Sequence, residues 1–191
     1  MKIHYLILFL FFLTAVSCQK DAEKSIKNGR IPKVSEKEIY AFANSIVNEN
    51  GIAKYCENVL DRKTMIATNG DSLFLAKIDT IFDKKDLEFI REQYLEGNKF
   101  VWKKDLLNKE IINLDSAKNY KNPEEFYNKT LSEEKCIGHI DLPMFNREMN
   151  IAIVEISYYC GFLCAQGGIF IYKKDKNKKW KLYKTLEQWI S

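Results

Sequence analysis

The side chains with the widest chemical scope in this sequence are its cysteines. The 191-residue chain contains five of them and only two histidines. Cys18 ends an apolar N-terminal run, and the remaining four are Cys56, Cys136, Cys160 and Cys164. An even number of thiols in a protein exported from the cytoplasm predicts disulfides.

One pairing follows from local spacing. Cys160 and Cys164 flank a predicted bend between two strands, where the backbone can bring their Cα atoms within bridging distance. We therefore predict a Cys160–Cys164 disulfide. Closing so short a loop removes denatured-state entropy worth about 2 kcal/mol. Cys56 and Cys136 then pair by elimination, since nothing in the sequence places them side by side.

Other chemistry is less well supported. A thiol redox centre needs Cys-x-x-Cys at a helix N-terminus, and a zinc site needs four converging ligands. Beyond residue 18 the chain has one histidine, His139. It is the only candidate imidazole base, and no Gly-x-Ser-x-Gly nucleophile turn accompanies it. We predict no catalytic residue, no metal and no cofactor.

Two kinds of charged cluster have a structural interpretation. Carboxylate pairs at residues 124–125 and 133–134 could serve glycoside chemistry, but their position at helix ends favours capping and solvation. The most basic run, residues 173–179, predicts a hairpin tip in water, with attraction to acidic lipid or polysaccharide as the alternative. Aromatic residues around the cysteine bend, Tyr158, Tyr159 and Phe162, are the candidate ligand-binding residues.

Helical signals dominate the first two thirds of the chain. Ser35 and Glu38 form a capping box before an apolar stripe that ends at Val47. Residues 52–60 fit either a helical turn or a strand, and residues 73–78 and 100–102 predict short strands. Asp83 caps a helix that ends at Gly97, and Pro123 begins another that runs to about residue 131.

Apolar runs alternate with turn signals in the last third, which is typical of an antiparallel meander. The predicted strands are Ile151–Tyr159, Gly168–Lys173 and Trp180–Thr185, with Trp189 and Ile190 covering an edge. Helices first and strands last predict an α+β fold, with N-terminal helices packed on one face of a C-terminal antiparallel β-meander.

The first residues predict export. Lys2 precedes an apolar run over residues 3–16 that is too short for a spanning helix of about 20 residues. Ala15-Val16-Ser17-Cys18 resembles the lipobox of bacterial lipoproteins, which implies cleavage after residue 17 and a lipid-bearing Cys18. Ordinary signal-peptidase cleavage nearby is the alternative, because Ala15 stands where that family usually has Leu.

The predicted organisation is a signal peptide over residues 1–17, a flexible tether over 18–34 and one domain over 35–191. The charged residues 19–23 resemble a surface-export signal of some Gram-negative lipoproteins, with a plain solvated tether as the alternative. Gln19 is not the Asp that retains enteric lipoproteins in the inner membrane. We therefore expect lipid anchoring in the outer membrane, on the periplasmic face or at the cell surface.

The C-terminal third also resembles uncharacterised secreted and lipoprotein-type bacterial proteins. The resemblance rests on Leu142-Pro143-Met144-Phe145, the strand from Ile151, the segment over residues 160–168, Trp180-Lys181 and the terminal Trp189-Ile190-Ser191. It implies a shared small domain with a structural role for the cysteine-rich hairpin, and no activity.

The amino-acid composition and net charge limit the classes of function that this chain can have. The chain is 46% hydrophobic and 29% charged, which predicts a globular fold. Its net charge of +4 is spread among interspersed acids and bases, which gives no nucleic-acid footprint. We expect a non-enzymatic binding or accessory module of the envelope whose partners are the bilayer, through Cys18, and an envelope protein or glycan. An envelope hydrolase and an inhibitor or immunity-type lipoprotein are the alternatives.

Overall fold

The structure, a computed structural model, describes residues 33–47, 54–62, 78–97, 100–134, 136–161 and 163–191. All the described helices and strands belong to one compact unit, Glu36–Ser191. The predicted signal peptide, Cys18, most of the tether and residues 73–77 of the strand predicted over 73–78 lie outside the described residues.

Three α-helices begin where the sequence predicts. They are α1 (Glu36–Ile46), α2 (Lys84–Gly97) and α3 (Pro123–Glu134), and a 3-10 helix spans Leu114–Asn119. The Asp83 carboxylate accepts the backbone N–H of Asp86 at 2.8 Å before α2. Asn122 Oδ1 accepts the N–H of Glu125 at 2.8 Å before α3. Both side chains satisfy an N–H group that the helix itself leaves without a partner.

Seven strands of the described residues form one mixed sheet. They are β1 (Asn58–Leu60), β2 (Glu110–Ile112), β3 (Ile137–Ile140), β4 (Met144–Phe145), β5 (Ile151–Tyr159), β6 (Ala165–Lys174) and β7 (Trp180–Ile190). The strand order is β2-β1-β3-β5-β6-β7, and β4 pairs with β5 beyond the end of β3. β1 runs parallel to β2 and β3, whereas all pairs from β3 to β7 are antiparallel.

The predicted α+β fold with a C-terminal meander is confirmed. β5 has the predicted bounds, but β6 begins at Ala165 rather than Gly168, and β7 continues to Ile190. Trp189 and Ile190 are therefore part of the edge strand and not a separate cover, because both pair with the early residues of β6. The register of β7 against β6 slips between Ile169 and Phe170 and again between Ile171 and Tyr172.

The expectation that helices pack on one face is wrong. Phe42 of α1 contacts the rings of Phe145, Tyr172 and Trp180 on one face, at centroid distances of 5.0–5.5 Å. The opposite face packs against α2, through a buried cluster of Ile78, Phe82, Ile90, Met144, Ile153 and Ile171. Neighbouring strand residues point to opposite faces, so the adjacent residues Met144 and Phe145 serve the two layers. We name the side of the sheet that packs against α1 the α1 face, and the side that packs against α2 the α2 face.

α3 lies on the α2 face as well. Its Phe126 is buried with Leu60 of β1 and Ile137 of β3, and Ile137 shares a face with His139 two residues later. The α2 face thus carries one apolar cluster near the start of β3 and another beside β4. The part of the α2 face between these two clusters carries polar side chains.

The strand predicted over Phe100–Trp102 is wrong. Within the part of the chain that the structure describes, the segment makes one backbone bond to its neighbour, from Trp102 N–H to the Asp61 carbonyl at 2.6 Å. Its apolar character has another cause, since the buried Trp102 indole packs on Tyr40 and donates to the Ile140 carbonyl at 2.7 Å. The open choice over residues 52–60 resolves into a helical turn at 54–55 followed by β1.

Candidate functional site

The bend between β5 and β6 is closed by the predicted disulfide. Cys160 and Cys164 are bonded, with Cα atoms 5.2 Å apart. The Cys160 N–H donates to the Cys164 carbonyl at 2.7 Å, and the Cys164 N–H donates to the Gly161 carbonyl at 3.0 Å. Gly161 has φ of 117°, a conformation that side chains disfavour. The bend is therefore fixed by its backbone geometry and by a covalent bridge.

The second disulfide, Cys56–Cys136, joins residues 80 positions apart in the chain, with Cα atoms 5.4 Å apart. It links the segment before β1 to the residue before β3, two strands that run parallel. Lys109 reaches the same place, because its Nζ donates to the Cys56 carbonyl at 2.7 Å. Burial there lowers the pKa of Lys109. Both predicted cysteine pairs are thus present, and both lie at the same end of the sheet.

Exposed apolar side chains concentrate at this end. Nine large hydrophobic residues are exposed among the described residues, and five of them lie where β5 ends, β6 begins and β7 ends. We call this the bend-end surface and define it as Tyr55, Tyr158, Tyr159, Leu163, Trp189 and Ile190. Single exposed apolar residues are normal on a protein surface, whereas several gathered at one end point to an interaction site.

Two of the three predicted binding residues, Tyr158 and Tyr159, belong to this surface but do not face the same way. Tyr158 lies on the α1 face, with its ring 5.0 Å from that of Tyr55 and its hydroxyl 3.2 Å from Gln166 Oε1. Tyr159 is 39% exposed on the α2 face, opposite Ile137. Phe162 lies outside the described residues. A ligand that contacts both tyrosines must therefore reach around the end of the sheet.

His139 lies in a polar row on the α2 face. Its Nε2 atom is 3.1 Å from Asp141 Oδ1, and both side chains are 14% exposed. The register places Ser157 directly opposite His139, and Gly167 opposite Ser157. Sequence reasoning considered His139 alone. The His-x-Asp spacing was the available signal, because residues two apart on a strand share a face.

Trp189 completes this row from the edge strand, opposite Gly167. A β-carbon at Gly167 would collide with the indole ring of Trp189 and with the Ser157 side chain. The absence of a side chain at Gly167 therefore lets the indole lie over the sheet beside Ser157. Trp189 nevertheless remains 41% exposed. We call His139, Asp141, Ser157 and Trp189 the polar row.

The carboxylate pairs have structural partners, as predicted. Glu125 Oε2 accepts the Lys121 N–H at 3.0 Å, and the Glu125 N–H donates to Asn122 Oδ1. Glu134 Oε2 accepts from Asn58 Nδ2 at 2.6 Å and so joins α3 to β1. Glu133 lies 4.0 Å from Lys129 one turn earlier in α3.

The basic run forms the predicted hairpin tip. Asp175 Oδ1 accepts the backbone N–H groups of Asn177 and Lys179 at 2.8 and 2.9 Å. Residues 175–179 are all exposed. We call this turn, with the adjoining ends of β6 and β7, the tip end of the sheet.

Searches beyond the chain itself identified no relative: no protein-family model, curated protein or solved structure matches it. Within the described residues, no group of three or more His, Cys, Asp or Glu side chains is arranged to hold a metal ion. None of the described helices has the length and apolar character needed to cross a membrane.

Proposed function

We propose that this protein is a non-enzymatic binding or accessory module of the cell envelope, anchored in the outer membrane through an acylated Cys18. Its recognition surface is the bend-end surface. The observation that carries the proposal is the concentration there of exposed side chains such as Tyr55, Leu163 and Ile190, which are 67%, 75% and 78% exposed.

The two disulfides support this assignment. A rigid backbone reduces the conformational entropy that a surface loses when it binds a partner. Cys160–Cys164 and Cys56–Cys136 both fix chain segments that carry the exposed side chains. Aromatic residues such as Tyr55 and Trp189 are also the types enriched at energetically dominant positions of protein interfaces.

The binding surface is tested with paired double variants of the full chain. Tyr55→Ala/Trp189→Ala removes exposed rings from the bend-end surface. Leu182→Ala/Tyr183→Ala is the matched control, because those side chains are 53% and 59% exposed near the tip end. Purified wild type and both variants are incubated with detergent-solubilised envelope, and bound components are quantified by mass spectrometry.

We expect the bend-end variant to capture at least about tenfold less bound component than wild type. Aromatic anchors at an interface contribute about 1–3 kcal/mol each to binding. The control should retain it. Equal capture by the two variants, both folded by circular dichroism, would exclude the bend-end surface as the recognition site. A single protein captured at equal stoichiometry would favour the inhibitor or immunity-type alternative.

The anchor has its own test, which is the intact mass of membrane-extracted protein compared with Cys18→Ser. A mass that begins at Cys18 and includes three acyl chains supports the proposal. An unmodified soluble product would contradict both lipidation and the membrane address. Alkylation before and after reduction reports the four other cysteines in the same experiment.

An envelope hydrolase is the second candidate, and the 3.1 Å contact between His139 and Asp141 favours it. A carboxylate that accepts a hydrogen bond from an imidazole orients that ring for general base catalysis. His139 Nε2 and Asp141 Oδ1 have the distance for such a bond but not its geometry, so the imidazole must turn before it can serve as a base. Hydrolysis of p-nitrophenyl acetate or p-nitrophenyl N-acetylglucosaminide by wild type, with a loss of at least about 100-fold in His139→Ala, would replace the binding proposal. Equal rates for wild type and His139→Ala would exclude this candidate.

A further inference from the structure

The indole of Trp189 packs over Gly167 and still faces solvent. It occupies the space that a side chain at Gly167 would fill, and Ser157 borders the same space. Packing of this kind restricts the ring before any ligand arrives, which lowers the entropy cost of binding. With 41% of its area exposed, the ring offers a π-face whose partial negative charge attracts polarised C–H groups.

Hydrogen-bonding groups border the ring on the same face. No hydrogen bond from Trp189 Nε1 or Ser157 Oγ to another side chain or to the backbone occurs among the residues that the structure describes. The His139 side chain, opposite Ser157, is 14% exposed, and its Nε2 atom is 3.1 Å from Asp141 Oδ1. An aromatic platform beside a hydroxyl, an N–H donor and an imidazole suits a ligand that has apolar C–H faces and many hydroxyl groups.

The charge of the surrounding rows restricts the ligand further. Asp141, Glu155 and Glu187 lie on the α2 face in or next to the polar row, with Glu155 and Glu187 both in register with Ile169. The lysines of β6 and β7 lie toward the tip end instead. Carboxylates repel anionic groups at short range, so uronates and phosphates are disfavoured. Neutral sugars and sugars that carry an amine are favoured.

We propose that the polar row is a binding site for a neutral glycan, with one pyranose ring stacked on Trp189 and its hydroxyls bonded to Ser157 and the Trp189 N–H. This inference rests on the proposed binding function and names its ligand class. The site occupies the α2-face side of the bend-end surface, whereas Tyr55 and Tyr158 lie on the other face.

The test is a two-dimensional ¹⁵N–¹H NMR titration of the folded protein with cellotetraose, maltotetraose and chitotetraose, each to about 10 mM. The chain has three tryptophans, so the indole N–H region contains one signal for each. Trp189→Phe assigns the relevant signal. Trp102, whose N–H is buried and bonded to the Ile140 carbonyl, supplies an internal signal that a surface ligand leaves unmoved.

We expect at least one neutral oligosaccharide to shift the Trp189 signal in a saturable manner. Ser157→Ala should weaken the dissociation constant by about two- to fivefold, the effect of one hydrogen bond, and Trp189→Ala by at least about tenfold. Tyr183→Ala should leave it unchanged. Tetragalacturonate should bind at least about tenfold more weakly than the best neutral probe, because of the carboxylates.

Failure of all three neutral probes to shift the Trp189 signal overturns the proposal, and so does binding that Trp189→Phe, Trp189→Ala and Ser157→Ala all leave intact. Equal affinity for tetragalacturonate overturns the neutral ligand class. These results are distinguishable from failure of the proposed function. An envelope protein captured through Tyr55 and Trp189, with no oligosaccharide bound, refutes the glycan while the binding module stands.

Discussion

At the bend end of the sheet two disulfides hold the backbone beside exposed rings, whereas at the tip end the side chain of one residue, Asp175, organises the turn. Aromatic residues are present at both ends. At the tip end the ammonium groups of Lys174 and Lys173 lie over the rings of Trp180 and Tyr183, 4.7 and 5.7 Å from their centroids.

Exposure alone therefore does not identify a recognition surface. A ring face that is already occupied by a lysine has a favourable cation–π partner, which a ligand would have to displace. No such cation–π contact involves Tyr158, Tyr159 or Trp189 in the described part of the chain. The bend end is thus covalently fixed, with rings that have no lysine over them, and the tip end is held locally, with a lysine over each of the two rings.

Removal of Cys56–Cys136 should give the largest effect. In the chain-entropy model a loop closed over a separation of 80 residues contributes about 4.5 kcal/mol, against about 2 kcal/mol for a separation of 4. In urea unfolding, the free energy of unfolding should therefore fall by about 2.5 kcal/mol more in Cys56→Ala/Cys136→Ala than in Cys160→Ala/Cys164→Ala. Equal losses would mean that loop length does not distinguish the two bridges.

Phe42→Ala should destabilise the protein by about 4 kcal/mol, since the side chain is 1% exposed and packs on three rings. Two of these rings, Tyr172 and Trp180, belong to the tip half of the sheet. Hydrogen exchange should accelerate there more than at the disulfide-fixed bend end. Phe42→Leu, which keeps most of the side-chain volume, is the control. Equal acceleration of hydrogen exchange along all of β6 would contradict the difference between the two ends.

Asp175→Ala should lower the free energy of unfolding by about 1 kcal/mol, because it removes the acceptor for two backbone N–H groups of the tip. Asp175→Asn keeps a side-chain oxygen at the same position and should lose less than half as much. Chemical denaturation of the three proteins measures both values. A loss in Asp175→Asn equal to that in Asp175→Ala would show that the charge, and not the hydrogen bonds, holds the turn.

The smallest effect concerns acid stability away from both ends. The backbone N–H of Asp86 holds the pKa of Asp83 below its ordinary value, and Arg147 adds to this shift. A folded-state pKa below the unfolded value, about 3.9, means that the stabilisation is present above that pH and is lost as the pH falls through the folded value.

The thermal midpoint should therefore decline as the pH falls below about 4. Asp83→Asn, which can still cap α2 but carries no charge, should reduce the decline. Arg147→Met removes the cationic partner and should reduce it to a smaller extent. An identical decline in all three proteins would assign acid sensitivity to other carboxylates, including Asp115, whose pKa Lys118 and Arg62 also lower.

Elements with local signals could be predicted from the sequence. The caps at Asp83 and Asn122 and the start of β5 at Ile151 depend on residues a few positions apart. The short strands were harder to predict: β1 stayed an open choice, and β2 and β3 were missed, because these strands have three or four residues each and find partners far along the chain. The Phe100–Trp102 error has the same origin, since one buried indole gives that segment the apolar character of a strand.

The candidate sites divide in a similar way. Cys160–Cys164 follows from spacing, whereas Cys56–Cys136 could be reached only by elimination, because the parallel β1–β3 pairing brings the two residues together. The polar row needs the register of four strands to place His139, Ser157 and Trp189 side by side. Alternation within a strand could predict that His139 and Asp141 share a face, but nothing local identifies Trp189 as their neighbour.

The two register slips in β7 bear on colloidal behaviour. A long, flat edge strand with apolar side chains can template intermolecular strand pairing, which leads to aggregation. β7 spans eleven residues at one edge of the sheet, yet its slips interrupt the regular ladder, and Lys181 and Lys184 place positive charge along it. We therefore expect concentrated preparations to stay monodisperse. The irregular β7, which also carries Trp189, should not pair edge to edge with β7 of a second molecule.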